Sequence, residues 1–180
     1  GNARPEEAGE EEQEAPPEGL FVQNAGAVLL HPFLPSLFEE LGAVRSNRMP
    51  DPGRALQALH YAVYGAKETG EWEWPLLKLL CGIPVPEWVS WDSPLQEKER
   101  EEIDKMLSAV IRHWKVLKQT SPEALRESFL QREGRLAQNQ SGWVLRVEQR
   151  AIDVLLDHLP WGISLVRMPW MGQRLLVEWN

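Results

Sequence analysis

The sequence predicts an α+β fold, a mostly helical single domain that ends in a small antiparallel sheet. Two observations carry this prediction. Apolar residues recur every three or four positions through the middle of the chain, which is typical of helices packed on a core. After Gly142 apolar and polar residues alternate, which is typical of strands. Helices followed by strands, rather than alternating with them, indicate an α+β architecture.

The composition separates an acidic beginning from the rest of the 180-residue chain. Residues 1–19 hold seven Glu and three Pro but no aromatic or branched apolar residue. Such a segment cannot bury enough apolar surface to offset the entropy of ordering it, so we expect a disordered acidic tail or linker. Residues 20–180 are expected to form one globular domain, since a chain of this length can bury a sizeable core.

The first ordered element is predicted from Val22 to Pro35, where apolar side chains lie on almost every side. A helix that is hydrophobic all round belongs in the interior of a domain, and this one is too short to cross a membrane. Helical structure is predicted to continue to Leu41 and to end at Gly42, because glycine readily adopts the left-handed conformation at a helix C-terminus.

The next helix is predicted to begin at Asp51-Pro52, which combines an N-cap residue with proline at the first helical position. Its apolar residues form a core-facing stripe as far as Val63. A short apolar helix is predicted over 74–80. The prolines within 83–91 then indicate an ordered, extended connection.

The longest helix is predicted from Ser93 to about Lys118, because its apolar residues form a single stripe opposite a charged face. Ser121 is predicted to cap one further helix, which Gly134 stops.

Three segments with alternating apolar residues predict the C-terminal sheet. They are residues 143–148, 163–167 and 175–179, with a short helix over 152–159 after the first. The last two are predicted to form an antiparallel hairpin, because only a short connection separates them.

Charge and cysteine content exclude several classes of function. The net charge is −8, but the residues after the acidic segment hold 18 basic and 20 acidic side chains. A nearly neutral body offers no broad basic field for phosphates, so no nucleic-acid partner is expected. The single cysteine, Cys81, permits no internal disulfide and argues against a thiolate metal site. No apolar run is long enough for membrane insertion, and no phosphate loop or other cofactor motif is present, so no cofactor is expected.

Candidate catalytic residues are few. Asp153 and Asp157 would lie one helical turn apart, with His158 following, and the three could support acid–base chemistry, as in a hydrolase. A solvated helix face with Arg150 as a neighbour explains the same residues, and we predict no catalytic site. The four histidines are interpreted as core or rim residues rather than metal ligands, because they lie far apart in sequence: His31, His60, His113 and His158.

The chain holds nine tryptophans, of which Trp114 and Trp143 are expected in the core. Six others lie in or beside connections rich in proline and glycine: Trp72, Trp74, Trp88, Trp91, Trp161 and Trp170. Tryptophan is enriched at binding hot spots because it combines a large apolar body with a single donor. At least one cluster among the six is therefore predicted to bind a protein partner, the alternative being that these side chains cover the ends of the core.

Several separate strings of residues resemble the tape measure proteins of contractile injection systems, the phage-tail-like particles of bacteria. They follow the family's order from Leu20 to Trp179. They are Val22-Gln23-Asn24-Ala25-Gly26, Leu30-His31-Pro32-Phe33-Leu34-Pro35, Lys78-Leu79-Leu80-Cys81-Gly82, His113-Trp114-Lys115, Leu125-Arg126, Phe129-Leu130-Gln131-Arg132-Glu133-Gly134, Leu159-Pro160-Trp161 and Pro169-Trp170-Met171.

The resemblance implies a structural protein rather than an enzyme. Such a protein occupies the lumen of the growing tail tube, and its length sets the length of the tube. The part resembled is the conserved globular end, which would anchor the ruler to the spike or baseplate through contacts with tube, spike or baseplate proteins. Particle symmetry would suggest a homo-oligomer, for example of three copies. The resemblance also implies assembly in the bacterial cytoplasm and a final place within the injection particle.

The predicted domain is too small to measure a tail by itself. A compact fold of this length has a radius of gyration of about 16 Å. On the tape measure hypothesis it would therefore be one part of a longer chain. A general protein-interaction adaptor that uses the Trp-rich loops, with no link to tail tubes, is the alternative.

Overall fold

The structure is a computed structural model that describes residues 19–91 and 93–179. Its α-helices are α1 (Leu34–Glu40), α2 (Pro52–Tyr64), α3 (Pro75–Leu80), α4 (Glu97–His113) and α5 (Pro122–Leu125). Its strands are β1 (Leu20–Val22), β2 (Gly134–Asn139), β3 (Gly142–Val147), β4 (Leu165–Val166) and β5 (Leu175–Glu178). Its 3-10 helices cover Ala25–Phe33, Glu71–Glu73, Lys115–Leu117 and Ala151–His158, and a π-helical turn covers Arg126–Leu130. The predicted α+β class is confirmed.

The sheet is mixed, so the prediction of a purely antiparallel sheet is wrong. Its strand order is β1-β2-β3-β5-β4, and every neighbouring pair is antiparallel except β3 and β5. Between β3 and β5 the chain forms the 3-10 helix Ala151–His158 and then β4, and this crossover returns β5 to β3 in the same direction. The predicted hairpin of the last two strands is confirmed.

The segment predicted as one buried helix from Val22 to Pro35 divides into a strand and a 3-10 helix. Val22 ends β1, and the 3-10 helix Ala25–Phe33 follows with its first six residues buried. Burial is thus as predicted, but the helix type is not. Pro32 has no backbone N–H, so one helical hydrogen bond is missing in this segment. Because the core surrounds the buried residues, their side chains need not recur with the 3.6-residue period of an α-helix.

Two strands, β1 and β2, were not predicted. β1 has only three residues and pairs with β2, which is distant in sequence, so that Leu20 lies opposite Leu136. Gly134, which the sequence suggested as a helix stop, instead begins β2. A Cβ atom there would lie 2.8 Å from the Arg146 carbonyl oxygen and 2.9 Å from Ala25 Cβ, so this glycine permits close packing between strand and core.

One face of the sheet and the apolar faces of the helices enclose a common core. The sheet contributes buried residues from its inner face: Leu136, Leu145, Val147, Val166, Leu175 and Val177. The predicted stripe of α4 is confirmed, because Ile103, Met106, Leu107, Val110 and Ile111 are all buried. Trp114 lies fully buried just beyond this helix, as predicted, whereas Trp143 is only partly buried.

Capping residues explain where three of the helices begin. Asp51 caps α2, since its side chain accepts a hydrogen bond from the Arg54 N–H, as predicted. Ser121 likewise caps α5. The predicted start of the longest helix at Ser93 is wrong, because Gln96 and Glu99 form a capping box that begins α4 at Glu97.

The predicted tail over residues 1–19 lies outside the described residues, apart from Gly19, and the single globular domain over residues 20–180 stays a prediction. Within the described ranges no helix is long and apolar enough to cross a membrane.

Candidate functional site

Two tryptophan-rich loops meet at a cluster of three aromatic rings, His60, Trp74 and Trp91, here called the aromatic junction. The indoles of Trp74 and Trp91 stack with their centroids 4.3 Å apart and their planes at 7°. The His60 ring, from α2, lies edge-on to Trp91 at 5.1 Å. The junction therefore holds the loop before α3 against the loop that leads to α4.

Hydrogen bonds fix two of the three rings of the aromatic junction, His60 and Trp74. The Trp74 Nε1–H donates to Thr69 Oγ1 at 3.3 Å, and the same hydroxyl lies 2.6 Å from His60 Nε2. Burial lowers the pKa of His60 to about 4, so its ring is neutral at pH 7.

The buried His60 predicts a loss of stability in mild acid. Between pH 6.5 and 4 the unfolded chain binds a proton at this ring that the folded chain does not, so the free energy of unfolding falls as the pH falls. The loss reaches at most about 3 kcal/mol. His60→Gln is expected to flatten the pH dependence of chemical denaturation over this range. The exposed His158→Gln is the control, and equal slopes for wild type and His60→Gln would contradict the prediction.

Further contacts tie both loops to the body of the protein. The amide of the buried Asn24 donates to the Tyr64 hydroxyl at 3.2 Å and to the Glu73 carbonyl oxygen. In the second loop the Lys78 ammonium donates to the carbonyl oxygens of Val85 and Glu87, at 3.2 and 2.6 Å. Each loop is thus held by a buried polar side chain from outside it.

Two indoles on these loops remain exposed. Trp72 is 76% exposed and Trp88 is 73% exposed. The Trp72 ring lies directly over Gly70, where a Cβ atom would come within 1.9 Å of it. Trp72 lies two residues before Trp74, and Trp88 lies three residues before Trp91, so each exposed indole is close in sequence to one member of the stacked pair.

A cleft of about 500 Å³ opens beside the aromatic junction. Its walls include His60, Trp74 and Trp91, and the charged side chains of Lys67 and Arg100 also line it. An apolar floor with a few polar groups is typical of a site that accepts a side chain or small group from a partner.

The structure places Trp161 and Trp170 elsewhere, on the connections around β4. The Trp161 Nε1–H donates to the Leu29 carbonyl oxygen at 3.0 Å, and the Trp170 Nε1–H donates to the Leu80 carbonyl oxygen at 2.9 Å. Of the six predicted binding tryptophans, the structure stacks Trp74 on Trp91 and leaves Trp72 and Trp88 exposed. The other two are partly buried against the core.

The acid–base arrangement considered from the sequence does not form. Asp157 and His158 are exposed, and in a 3-10 helix, with three residues per turn, Asp153 and Asp157 do not share a face. The Asp153 carboxylate accepts hydrogen bonds from Arg132 at 2.8 Å and from the Trp179 indole at 3.0 Å. Burial alone would raise the pKa of Asp153, but these bonds hold it below its usual value.

Metal-binding groups are likewise not assembled in the described ranges, where no set of three or more His, Cys, Asp or Glu side chains could hold an ion. Cys81 is fully buried, which raises the pKa of its thiol, so this residue packs as a small apolar side chain.

The comparison with protein families gives one decisive match. The family model for the contractile injection system tape measure protein matches residues 2–179. The chain belongs to this family. The resemblance found in the sequence is thereby confirmed. Neither the curated proteins nor the solved structures gave a match.

As a contractile injection system tape measure protein, the chain is part of the injection particle and interacts with other particle components. The exposed Trp72 and Trp88 are the candidate residues for such an interaction. The polar residues that hold the two loops in place, Asn24, Thr69 and Lys78, were not predicted as site residues. A lysine within the apolar run of α3 was the one available signal, since a buried lysine must find acceptors.

Proposed function

We propose that this part of the tape measure protein anchors the tube-length ruler to the spike or baseplate. Its role is structural rather than enzymatic, and it acts through protein–protein contacts, in several copies, during assembly in the bacterial cytoplasm. The observation that carries the proposal is the pair of exposed indoles, Trp72 and Trp88, on loops that the aromatic junction holds together.

Fixed loops make these indoles effective binding residues. A tryptophan side chain buries about 150–250 Å² on contact and is over-represented among the residues that dominate binding energy. The loops are already ordered by Asn24, Lys78 and the aromatic junction, so little conformational entropy is lost when a partner binds. The adjacent cleft can take an apolar side chain of the partner.

Replacing both exposed indoles is expected to disrupt particle assembly. Truncating a hot-spot tryptophan costs about 2–4 kcal/mol of binding, so Trp72→Ala together with Trp88→Ala should weaken the partner contact by more than about 100-fold. Electron microscopy of particles from cells that carry these changes in the native gene should show few particles or tubes of irregular length. Val154→Ala is the matched control, since Val154 is 64% exposed on a different element.

Two further measurements separate this proposal from its alternatives. The melting temperature of the double variant should equal that of the wild type, because neither indole lies in the core. Deleting residues 20–180 should abolish particles or release control of tube length. Normal particles after this deletion would refute the anchoring role. A pull-down with the purified chain that recovers only proteins from outside the particle would support an adaptor instead. Normal particles from the double variant alone would refute only the tryptophan surface.

A further inference from the structure

A short exposed turn between α1 and α2 has an unusual backbone. Its two central residues, Ser46 and Asn47, have φ of +50° and +63°, in the left-handed region that glycine and asparagine adopt readily but that serine disfavours. The Arg45 N–H donates to the Arg48 carbonyl oxygen at 2.9 Å, and the Arg48 N–H donates back to Arg45 at 3.0 Å. This is a two-residue hairpin of the type I′ class, built here without glycine.

The base of the turn is firmly held. The N–H groups of Ala43 and Val44 both donate to the Phe38 carbonyl oxygen, at 2.8 and 3.1 Å, and both residues are buried. The Asp51 N–H donates to the Ala43 carbonyl oxygen at 3.3 Å. The turn therefore projects from a fixed base.

The arrangement of charge in the turn is unfavourable in isolation. Arg45 and Arg48 form a directly opposed antiparallel pair, so their side chains leave the same face of the hairpin, and like charges in such a pair repel. Both are exposed, and neither forms an ion pair with any residue in the described ranges. Glu39 lines the same surface hollow of about 400 Å³ as Arg45 but does not reach it within 4.0 Å. Local strain and repulsion thus coincide at one exposed position.

We propose that the turn Arg45–Arg48 binds carboxylates on an acidic surface of a protein partner. Two guanidinium groups on one face can each form paired hydrogen bonds with a carboxylate, and a bound anion removes their mutual repulsion. Strained backbone that the surrounding structure maintains is found preferentially at binding sites. A protein carboxylate fits better than a polyphosphate, because the nearly neutral body of the chain gives no broad basic field around the turn. The proposal does not rest on Trp72 or Trp88.

The test uses a hexaglutamate peptide as the probe, with inorganic phosphate as the competing source of anionic oxygen. Backbone amide shifts of the full chain should change on titration with the peptide, centred on Arg45–Arg48. Arg45→Gln with Arg48→Gln should weaken peptide binding by about tenfold or more, since both charge-assisted contacts are lost. Arg112→Gln with Arg167→Gln removes the same charge from two other exposed positions and should change binding by less than about twofold.

Three results would overturn the proposal. One is equal weakening by the two double variants, which would reduce the effect to net charge. Another is a response of these amides to phosphate but not to the peptide. The third is a melting temperature several degrees lower in the Arg45→Gln, Arg48→Gln variant, which would show the arginines to be structural. The proposal expects that melting temperature to be unchanged or higher, because the repulsion is removed.

Discussion

Replacing Gly26 with alanine is expected to destabilise the protein more than a glycine-to-alanine substitution at any other described glycine. A Cβ atom at this position would lie 1.7 Å from the Phe129 carbonyl oxygen and 2.6 Å from Leu130 Cα. Both are backbone atoms inside the core, so no change of side-chain rotamer can relieve the overlap. Overpacking of side chains usually costs about 1–3 kcal/mol, and we expect more than about 4 kcal/mol here because backbone must move.

Denaturant unfolding of the purified chain measures this effect, with Gly162→Ala as the matched control. Nothing lies within 4 Å of a Cβ atom built at Gly162, and its φ is not in the left-handed region. That variant should be neutral or more stable by up to about 1 kcal/mol, since alanine restricts the unfolded chain. A Gly26→Ala protein that unfolds at the same denaturant concentration as the wild type would contradict the described packing of the first 3-10 helix.

The second large effect is expected at Asp153. Its carboxylate is the acidic partner of Arg132, whose side chain is completely buried and lies 5.2 Å from the centroid of the Trp179 ring. Asp153→Ala leaves that guanidinium buried without its counter-charge, which typically costs about 3–5 kcal/mol. The melting temperature should fall on the order of 10 °C.

A control and a rescue make this prediction specific. Asp157→Ala removes an exposed carboxylate from the same 3-10 helix and should change the melting temperature by no more than a degree or two. Arg132→Met together with Asp153→Leu should recover much of the stability, because two apolar side chains need no partner. If Asp153→Ala melts like Asp157→Ala, then water or the carbonyl oxygens of Ser128 and Glu148 satisfy Arg132 sufficiently.

Local sequence signals predicted the elements that depend on local chemistry. The Asp51 cap and the apolar stripe of α4 follow from neighbouring residues and are present. β1 could not be predicted, because three residues carry no period and this strand exists only through its partner β2. The direction of β5 beside β3 likewise depends on how the intervening crossover packs, which the residues of either strand do not encode.

The candidate site was predictable in composition but not in geometry. The sequence places Trp72, Trp74, Trp88 and Trp91 alike in connections rich in proline and glycine. In the structure Trp72 and Trp88 are exposed, whereas Trp74 and Trp91 stack on each other. Their difference arises from contacts with α2, above all with His60, which lies outside both loops. Position relative to a distant helix is a property of the folded chain, so it became visible only in the structure.

The central place of the first 3-10 helix also sets an order of events during synthesis. This apolar segment finds its backbone partners late, since the Ala25 N–H donates to the Arg132 carbonyl oxygen at 2.8 Å. Ribosomes add about 5–20 residues per second, so the roughly 100 residues between them take on the order of 5–20 s to emerge. Through that interval Val28, Leu29 and Leu30 lack part of their native cover, because the π-helical turn Arg126–Leu130 and β3 also pack against this segment. The nascent chain therefore depends on whatever shields them until its second half has left the ribosome.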